Sequence, residues 1–333
     1  MERSTIIMGN GLGMALDPKY FSLDRALEDV WDKPDFLTDV QKTLITKCLA
    51  KQGAVERPKS EDDLDILHRV VVACEYLVGV GEGEIHWLSE YGHEFPEAIR
   101  RYLTAVAWYF HYHESSLKDG FLSPLSNYIT ESKSHLATLN YDNLLYQELI
   151  ERQVLQGYDG SLVDGFHSDG FSEKNLQRLY GKDFGYYMHL HGSPLFIEKD
   201  GCIIKQHQGK SKEIPTSHLV LTHVEHKPSV IDSSYLLRTY WRYLEKAIQE
   251  CQRIIIFGYS GRDSHLNRFI RARAEGKSLS IVERAGSGKF KDREEYWRQK
   301  MLSDVELLHL QNVIDFTDWN TCSYKAEALS VGT

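Results

Sequence analysis

Short apolar runs that stop at polar or glycine-containing turns alternate along this chain with longer segments in which apolar residues recur at helical spacing. Four runs that end in such turns lie at residues 4–8, 135–139, 186–190 and 253–257. The last of them, Arg-Ile-Ile-Ile-Phe, is typical of a parallel strand buried on both faces. Further strands are expected at 279–283 and 305–310. The pattern predicts an α/β protein with a parallel sheet and helices on both faces.

The segment between the first two runs contains helical periodicity instead of further strands. Residues 62–80 place apolar side chains on one face, and residues 96–117 do the same, with Pro96 expected at the start of that helix. We therefore expect an inserted helical module at residues 24–130. A sheet domain would be formed by residues 1–23 together with 131–333.

The turn after the second run carries the polar residues Asn140 and Asp142. Ligands of open α/β sheets bind just beyond the carboxyl ends of the strands, which is where these two side chains are expected. The alternative is that Asp142 or Asn143 only caps the following helix.

The first run leads directly into a glycine-rich turn, Gly9-Asn10-Gly11-Leu12-Gly13. Glycines allow the backbone to approach an anion and to present its N–H groups, so the turn is a candidate phosphate site. A plain tight turn is the alternative. Met14 occupies the third glycine position of the dehydrogenase fingerprint, and no acidic strand end follows about 20 residues later, so an ordinary dehydrogenase is disfavoured.

The third run ends in His191-Gly192-Ser193. We interpret His191 as a functional imidazole at a strand terminus, with Gly192 leaving room for a ligand and His189 packed or hydrogen-bonded behind it. Strand alternation would also place the two histidines on one side, where a metal is the alternative. Its remaining ligands would come from the histidines at positions 207, 223 and 226.

The fourth run ends in Gly258-Tyr259-Ser260, and Asp263 follows shortly after. Ser260 can donate a hydrogen bond to a phosphate or ribose, or else Ser260 or Asp263 only caps the helix expected at 264–274. Glu283, at the end of another buried strand, is a candidate for the ribose hydroxyls of an adenosine or for a surface salt bridge.

Composition narrows the class of protein. The net charge of −9 disfavours a generic nucleic-acid binder, and we expect no direct sequence-specific nucleic-acid binding. Five scattered cysteines without a CxxC spacing argue against a disulfide framework or a cysteine-built zinc site. Because there is neither a signal-peptide pattern nor an apolar run of membrane-spanning length, we expect a soluble cytoplasmic protein with no membrane contact.

The ordered set of turns resembles the sirtuin superfamily, whose members carry a glycine-rich opening turn, then Thr-x-Asn-x-Asp, His-Gly and Gly-[Thr/Ser]-Ser or similar. The resemblance implies a Rossmann-like domain that binds NAD, with Asn140 and Asp142 near the nicotinamide ribose and His191 as the general base. It also implies a nucleotide site along the opening turn and at the end of the fourth run. The residues expected there are Gly9, Asn10, Gly11, Gly13, Thr138, Gly258, Tyr259, Ser260, Asp263 and Glu283.

Sirtuin deacylases carry a four-cysteine zinc ribbon, and this chain has no cysteine pair that could build one. Its Asn-Tyr-Asp-Asn-Leu-Leu and Gly-Tyr-Ser-Gly-Arg-Asp sequences are more similar to those of bacterial sirtuin-like NADases of antiphage defence, some of which work beside a HerA-type ATPase. The resemblance implies hydrolysis of NAD+ to nicotinamide and ADP-ribose, with no cofactor beyond this substrate, and an oligomer or a partner. The alternatives are a protein deacylase or ADP-ribosyltransferase and a non-catalytic NAD- or ADP-ribose-binding subunit.

Overall fold

The computed structural model of the chain describes residues 1–50, 57–80, 88–206, 218–220 and 227–321. The strands in this part of the chain are β1 (Ser4–Met8), β2 (His135–Thr138), β3 (Leu162–Val163), β4 (Phe166–His167), β5 (Gly170–Phe171), β6 (Gly185–His189), β7 (Phe196–Lys199), β8 (Cys202–Lys205), β9 (Arg253–Phe257), β10 (Ser278–Arg284) and β11 (Glu306–Leu310). The helices are α1 (Gly11–Leu16), α2 (Leu23–Trp31), α3 (Asp39–Ala50), α4 (Glu61–Val80), α5 (Glu90–His111), α6 (Asp119–Ser132), α7 (Leu144–Glu151), α8 (Lys227–Ser233), α9 (Tyr235–Glu250), α10 (Ser264–Arg271) and α11 (Phe290–Met301).

Among the described residues, seven strands form one sheet in the order β11-β10-β9-β1-β2-β6-β3, and all of its pairings are parallel. The central strand β1 pairs with β9 on one side and β2 on the other, so that Met8 lies opposite both Phe257 and Thr138. The strands at the centre of the sheet are apolar because helices cover both of its faces. In β9, Ile254 to Ile256 are fully buried. The predicted Rossmann-like α/β fold is confirmed.

Two small antiparallel pairs, β4-β5 and β7-β8, accompany the sheet. In the same region a short 3-10 helix occupies Glu173–Leu176. Further on, Leu219 forms an isolated bridge to Gly192. Among the described helices, none is long and apolar enough to cross a membrane.

Among the helices that precede β2, α5 begins and ends earlier than the sequence predicts. The helix predicted to start at Pro96 begins at Glu90 and ends at His111, so Pro96 lies inside it. The start is set by Ser89, whose side chain accepts a hydrogen bond from the Gly92 amide. A serine N-cap defines a helix start as well as a proline does, and here the serine is the residue that decides it.

Helices α2 to α5 pack on one another, and α5 contacts α2, α3 and α4. The next helix, α6, lies against the sheet instead: the Phe121 and Phe257 ring centroids are 5.5 Å apart, and the Tyr128 and Ser4 hydroxyl oxygens are 2.6 Å apart. The division into an inserted helical module at 24–130 and a sheet domain stays a prediction.

Candidate active site

The turns that follow β1, β2, β6 and β9 emerge together at the carboxyl edge of the sheet. Backbone hydrogen bonds continue the parallel pairing past the strand ends: the Leu139 amide donates to Met8 and the Leu190 amide to Thr138. On the other side of β1, the Gly9 amide donates to Phe257 over 2.8 Å. The polar residues that the sequence places after these strands are therefore held at one end of the sheet.

Asn140 is buried in the turn after β2, with 6% of its surface exposed. Its side-chain amide donates to the Gly9 carbonyl over 3.1 Å, and its backbone amide donates to the Thr138 hydroxyl over 3.1 Å. The first of these bonds orients the carboxamide, so that Oδ1 points away from Gly9. This oxygen is buried and has no hydrogen-bond partner among the described residues. A fixed, unpaired acceptor at a strand end is suited to a ligand that carries N–H or O–H groups.

His191 lies in the turn after β6 and meets Asp263, which lies beyond β9. The distance from His191 Nε2 to Asp263 Oδ2 is 3.1 Å. In the sheet, β1 and β2 separate β9 from β6, so the ends of these two strands are about 14 Å apart. The two turns must therefore bend toward each other across the ends of β1 and β2, where Asn140 and Gly9 lie. Asn140 and His191 are thus brought to the same end of the molecule.

Lys227 joins His191 and Asp263 in one buried group. Its ammonium donates to Asp263 Oδ2 over 3.0 Å and lies 3.8 Å from a carboxylate oxygen of Glu61. Glu61 begins α4, so the contact joins the helices before β2 to the turn beyond β9. The other Asp263 oxygen accepts the amides of His265 and Leu266, which makes this carboxylate the N-cap of α10.

These contacts determine the protonation of the pair. Despite its burial, Asp263 has a pKa held far below its usual range by its hydrogen bond and charge interaction with His191 and by the Lys227 ammonium. Burial and then the Lys227 charge lower the pKa of His191 below its ordinary value, against the opposing effect of Asp263. Because a carboxylate only accepts, Nε2 of the neutral imidazole carries the proton and Nδ1 carries the free lone pair.

Asp142 is partly buried in the same turn as Asn140. Burial raises its pKa to about 6, although the Leu144 amide and the Asn140 side chain oppose this shift. One carboxylate oxygen accepts from the Leu144 amide over 3.1 Å, as in the capping alternative, whereas the Asn143 side chain makes no capping bond. Asp142 therefore caps α7 and can also change charge near neutral pH.

The glycines of the opening turn are needed where two turns pack together. A Cβ built on Gly11 would lie 2.5 Å from the Gly258 carbonyl oxygen, and one on Gly9 would lie 2.7 Å from the same atom. Gly258 itself has a φ of +60°, which favours glycine. Close packing of the two turns thus accounts for Gly9, Gly11 and Gly258, and pyrophosphate binding stays a prediction. Gly13 packs against the Phe21 ring, and Asn10 donates to the Phe21 carbonyl.

Two of the remaining candidates for nucleotide binding, Tyr259 and Glu283, have protein partners. The Tyr259 hydroxyl lies 3.0 Å from both the Asp263 carbonyl and Asn267 Oδ1, whereas Ser260 is exposed. Glu283 is buried and makes a bidentate ion pair with Arg293 as well as a bond from the Trp297 indole. The salt bridge expected for Glu283 as an alternative is present, but inside the protein. Their roles toward a nucleotide stay predictions.

The surroundings of His189 bear on the alternative that it binds a metal together with His191. His189 is packed between the rings of Tyr146 and Phe196, both of its ring nitrogens lack partners in the described ranges, and burial lowers its pKa to about 3. Of the residues described, no group of three or more His, Cys, Asp or Glu could hold a metal ion. The three other histidines of that alternative, at 207, 223 and 226, lie outside the described residues.

Two further residues of the site, His111 and Trp108, come from α5, which lies in the segment predicted to be an inserted helical module. His111 Nδ1 lies 3.2 Å from the Tyr141 carbonyl, inside the Asn140–Asp142 turn. The Trp108 ring lies 5.1 Å from the His111 ring. No local sequence pattern connects His111 or Trp108 with the turn after β2.

A cavity of about 540 Å³ lies beside this edge of the sheet, between α8, α9 and α10. Trp241 and His265 line it, and Asn140 and His191 do not. His265 follows Asp263 at the start of α10. The cavity is therefore next to the buried group around Asp263 and separate from the Asn140 turn.

The sequence profile of the SIR2-like domain family matches residues 134–303, about half of the chain. The matched region contains β2, β6, β9 and β10 with the turns that carry Asn140, His191 and Asp263, and it excludes the opening glycine turn. No protein with a curated description matches this chain. Proteins with a SIR2-like domain are typically NAD-using enzymes. By this match and by the arrangement of its strand-end turns, the chain belongs to the SIR2-like, or sirtuin-like, family.

Proposed function

We propose that the protein is an NAD+ glycohydrolase that releases nicotinamide and ADP-ribose. The observation that supports this most directly is the convergence of His191 and Asn140 at one edge of the sheet. The Asn140 carboxamide is held by Gly9, and its oxygen has no partner among the described residues. An oriented amide and a neutral imidazole are the two groups that hydrolysis of a nicotinamide–ribose bond requires.

The reaction needs little acid catalysis. The bond between C1′ of the ribose and the nicotinamide nitrogen breaks with its electron pair going to nicotinamide, which leaves as a neutral base. The transition state resembles an oxocarbenium ion, as in glycosidases, but no carboxylic acid has to protonate the leaving group. A water oxygen then bonds to C1′, and its proton has to be taken up.

In this proposal His191 takes that proton on Nδ1 while Nε2 donates to Asp263. Asn140 Oδ1 accepts from the water or from a ribose hydroxyl and so fixes the angle of attack. Asp142 adjusts the contacts with the ribose, and the glycine turn beginning at Gly9 faces the diphosphate. A positioned general base is typically worth about 10²–10⁴ in rate.

The direct test is nicotinamide release by the purified protein. His191→Ala and Asn140→Ala should each reduce the rate by at least about a hundredfold, given what a general base contributes. His93→Ala and Asn127→Ala are matched controls, because both side chains are exposed on helices. Turnover at the wild-type rate in either site variant would refute the assigned roles.

The biological setting proposed is depletion of NAD+ in bacterial antiphage defence, inside the cytoplasm. It is supported by the similarity of the two strand-end turns to those of sirtuin-like NADases, some of which act with a HerA-type ATPase. Such an enzyme must be inactive in a resting cell, so we expect a homo-oligomer, a partner of that type, or both. The assay is therefore run with and without a candidate ATPase.

Two other activities are outcomes of the same assay. Nicotinamide release that requires an acylated or acceptor peptide would indicate a deacylase or an ADP-ribosyltransferase. Stoichiometric binding of NAD+ or ADP-ribose without release under every condition would indicate a regulatory subunit. Either result would replace the glycohydrolase proposal and leave the family assignment unchanged.

A further inference from the structure

We propose that His111, in the last turn of α5, is a substrate-binding residue of this site, and that its Nε2 accepts a hydrogen bond from an N–H or O–H group of the bound substrate. The helices that precede β2 would then complete the site, in addition to packing beside it. The inference rests on the proposed function, since the substrate in question is NAD+. Its experiment is chosen so that the two can fail separately.

The orientation of the His111 ring is fixed by one hydrogen bond. Nδ1 lies 3.2 Å from the Tyr141 carbonyl oxygen, which can only accept, so Nδ1 carries the proton. Nε2 then has a free lone pair. Only 4% of the His111 surface is exposed, and Nε2 is buried without a hydrogen-bond partner in the described part of the chain. Burial lowers the pKa of His111 to about 4, against the Tyr141 bond, so that the lone pair is kept at neutral pH.

Other unpaired polar atoms surround the same turn. Asn140 Oδ1 and Asn143 Oδ1 are buried acceptors, and Trp108 Nε1 is a buried donor; all three lack partners within the described ranges. Trp108 lies one helical turn before His111, and their rings are 5.1 Å apart. More than nine in ten buried polar groups in proteins have a partner, so several unpaired atoms at one turn indicate a place where a ligand supplies the partners.

The chemistry of these atoms indicates which part of a ligand they would bind. Within the described part of the chain, these unpaired atoms are three acceptors, His111 Nε2 and the two asparagine oxygens, and one donor, Trp108 Nε1. They therefore fit a group that mainly donates, which in NAD+ is the carboxamide NH₂ of nicotinamide or the hydroxyls of its ribose. Binding of nicotinamide and of ADP-ribose, measured separately, distinguishes the two because each product carries only one of these groups.

Two substitutions separate the structural bond of His111 from the proposed binding bond. His111→Asn places an amide N–H near the position of Nδ1 and keeps the bond to Tyr141, but has no atom at the position of Nε2. His111→Gln places an amide oxygen near the position of Nε2 and gives up the Tyr141 bond. His93→Ala, on the exposed side of the same helix, is the control.

If His111 binds substrate, His111→Asn should raise KM for NAD+ about tenfold, the value of one hydrogen bond, whereas His111→Gln should stay within about threefold of wild type. The affinity for whichever product carries the donor should fall in parallel. A purely structural role predicts the reverse order, in which His111→Gln has the higher KM for NAD+. That order, or an unchanged KM in both variants, would overturn the inference.

A measurement on the wild-type protein covers the case in which the variants do not fold. With isotopically labelled histidine, the resonance of the unprotonated Nε2 of His111 should move when ADP-ribose or nicotinamide is added, since accepting a hydrogen bond changes its shielding. No movement with either product, in a protein that releases nicotinamide, would overturn the inference and leave the proposed function standing. A wild-type protein that neither binds nor cleaves NAD+ would overturn both.

Discussion

His191 Nε2 lies 3.1 Å from Asp263 Oδ2, although the two residues follow strands that two other strands separate in the sheet. The contact holds the imidazole at the carboxyl end of the sheet and, with the proton on Nε2, leaves the ring lone pair on Nδ1. It also assigns Asp263 two tasks, since the other carboxylate oxygen caps α10. Asp263 is in this sense a positioning residue, which acts through His191.

Asp263→Asn should separate these two tasks. Asparagine is as good an N-cap as aspartate, so the cap of α10 should be kept. The buried Lys227 ammonium loses its carboxylate partner, however, and this should destabilise the protein by about 3–5 kcal/mol. The carboxylate that fixes the His191 tautomer is lost, and we expect nicotinamide release to fall by at least about tenfold, within the 10²–10⁴ that a positioned base contributes. The assay is paired with thermal denaturation. A rate loss that is matched by loss of folded protein would assign Asp263 a structural role only.

Lys227→Met should move the pH dependence of activity. The proposed base must be neutral, so the rate falls as pH drops through the pKa of His191, which burial and Lys227 together keep below 6.5. Removing the ammonium leaves the imidazole next to the Asp263 carboxylate, which favours the protonated form, so the pKa of His191 should rise. The acid limb of the pH profile should then move to higher pH. The remaining charge acting on His191 is that of Glu61, which also favours the protonated form.

The comparison of Lys227→Met with wild type distinguishes the titration of His191 from that of a second nearby group, Asp142. Burial raises the pKa of Asp142 to about 6, but Lys227 is not among the groups that shift it. An acid limb due to Asp142 should therefore stay in place when Lys227 is replaced. A limb that does not move would show that His191 is not the group being titrated.

Gly11→Ala should destabilise the fold at the edge of the sheet. The added Cβ would meet the Gly258 carbonyl oxygen at 2.5 Å and the Gly258 Cα at 2.6 Å, and backbone atoms cannot rotate away as a side chain can. Forced overpacking of this kind typically costs about 1–3 kcal/mol. Urea denaturation measures the cost. Gly79→Ala, where an added Cβ meets nothing within 4 Å, is the matched control and should be neutral or stabilising by up to about 1 kcal/mol.

His189→Phe should reduce the sensitivity of the fold to acid. The folded protein holds His189 neutral, with a pKa lowered by burial to about 3, whereas the unfolded chain takes up a proton near pH 6.5. Between these values the unfolded state binds more protons, so stability falls as the pH falls, by up to about 1.4 kcal/mol per pH unit for one such group. The loss begins near the unfolded value and is complete below the folded one.

Denaturation midpoints measured at several pH values in that window give the slope. The His189→Phe slope should be smaller than that of wild type, and His93→Phe on the exposed side of α5 serves as the control. Equal slopes in wild type and His189→Phe would mean that the folded protein does not keep His189 neutral.

Local sequence patterns predict most of the strands and helices of the fold. The strand at Arg253–Phe257 is the one that its apolar run predicts, and the strand at Ser4–Met8 ends at the glycine turn as expected. Strand length, apolar runs and turn residues act over a few positions, so they can be recognised without the rest of the chain. The start of α5 was mispredicted for the same reason: both Ser89 and Pro96 are start signals, and only the folded helix shows which one acts.

What the sequence by itself determined, then, is the succession of strands along the chain and the polar turns that follow them, including the placement of Asn140 and His191 at strand ends. What only the tertiary structure decided is which side chains meet there. Asp263 reaches His191 across 72 positions of sequence and His111 reaches the Tyr141 carbonyl across 30. Such contacts depend on strand order and on the packing of α5, because hydrogen bonds form between neighbours in space, and spacing along the chain carries no record of them.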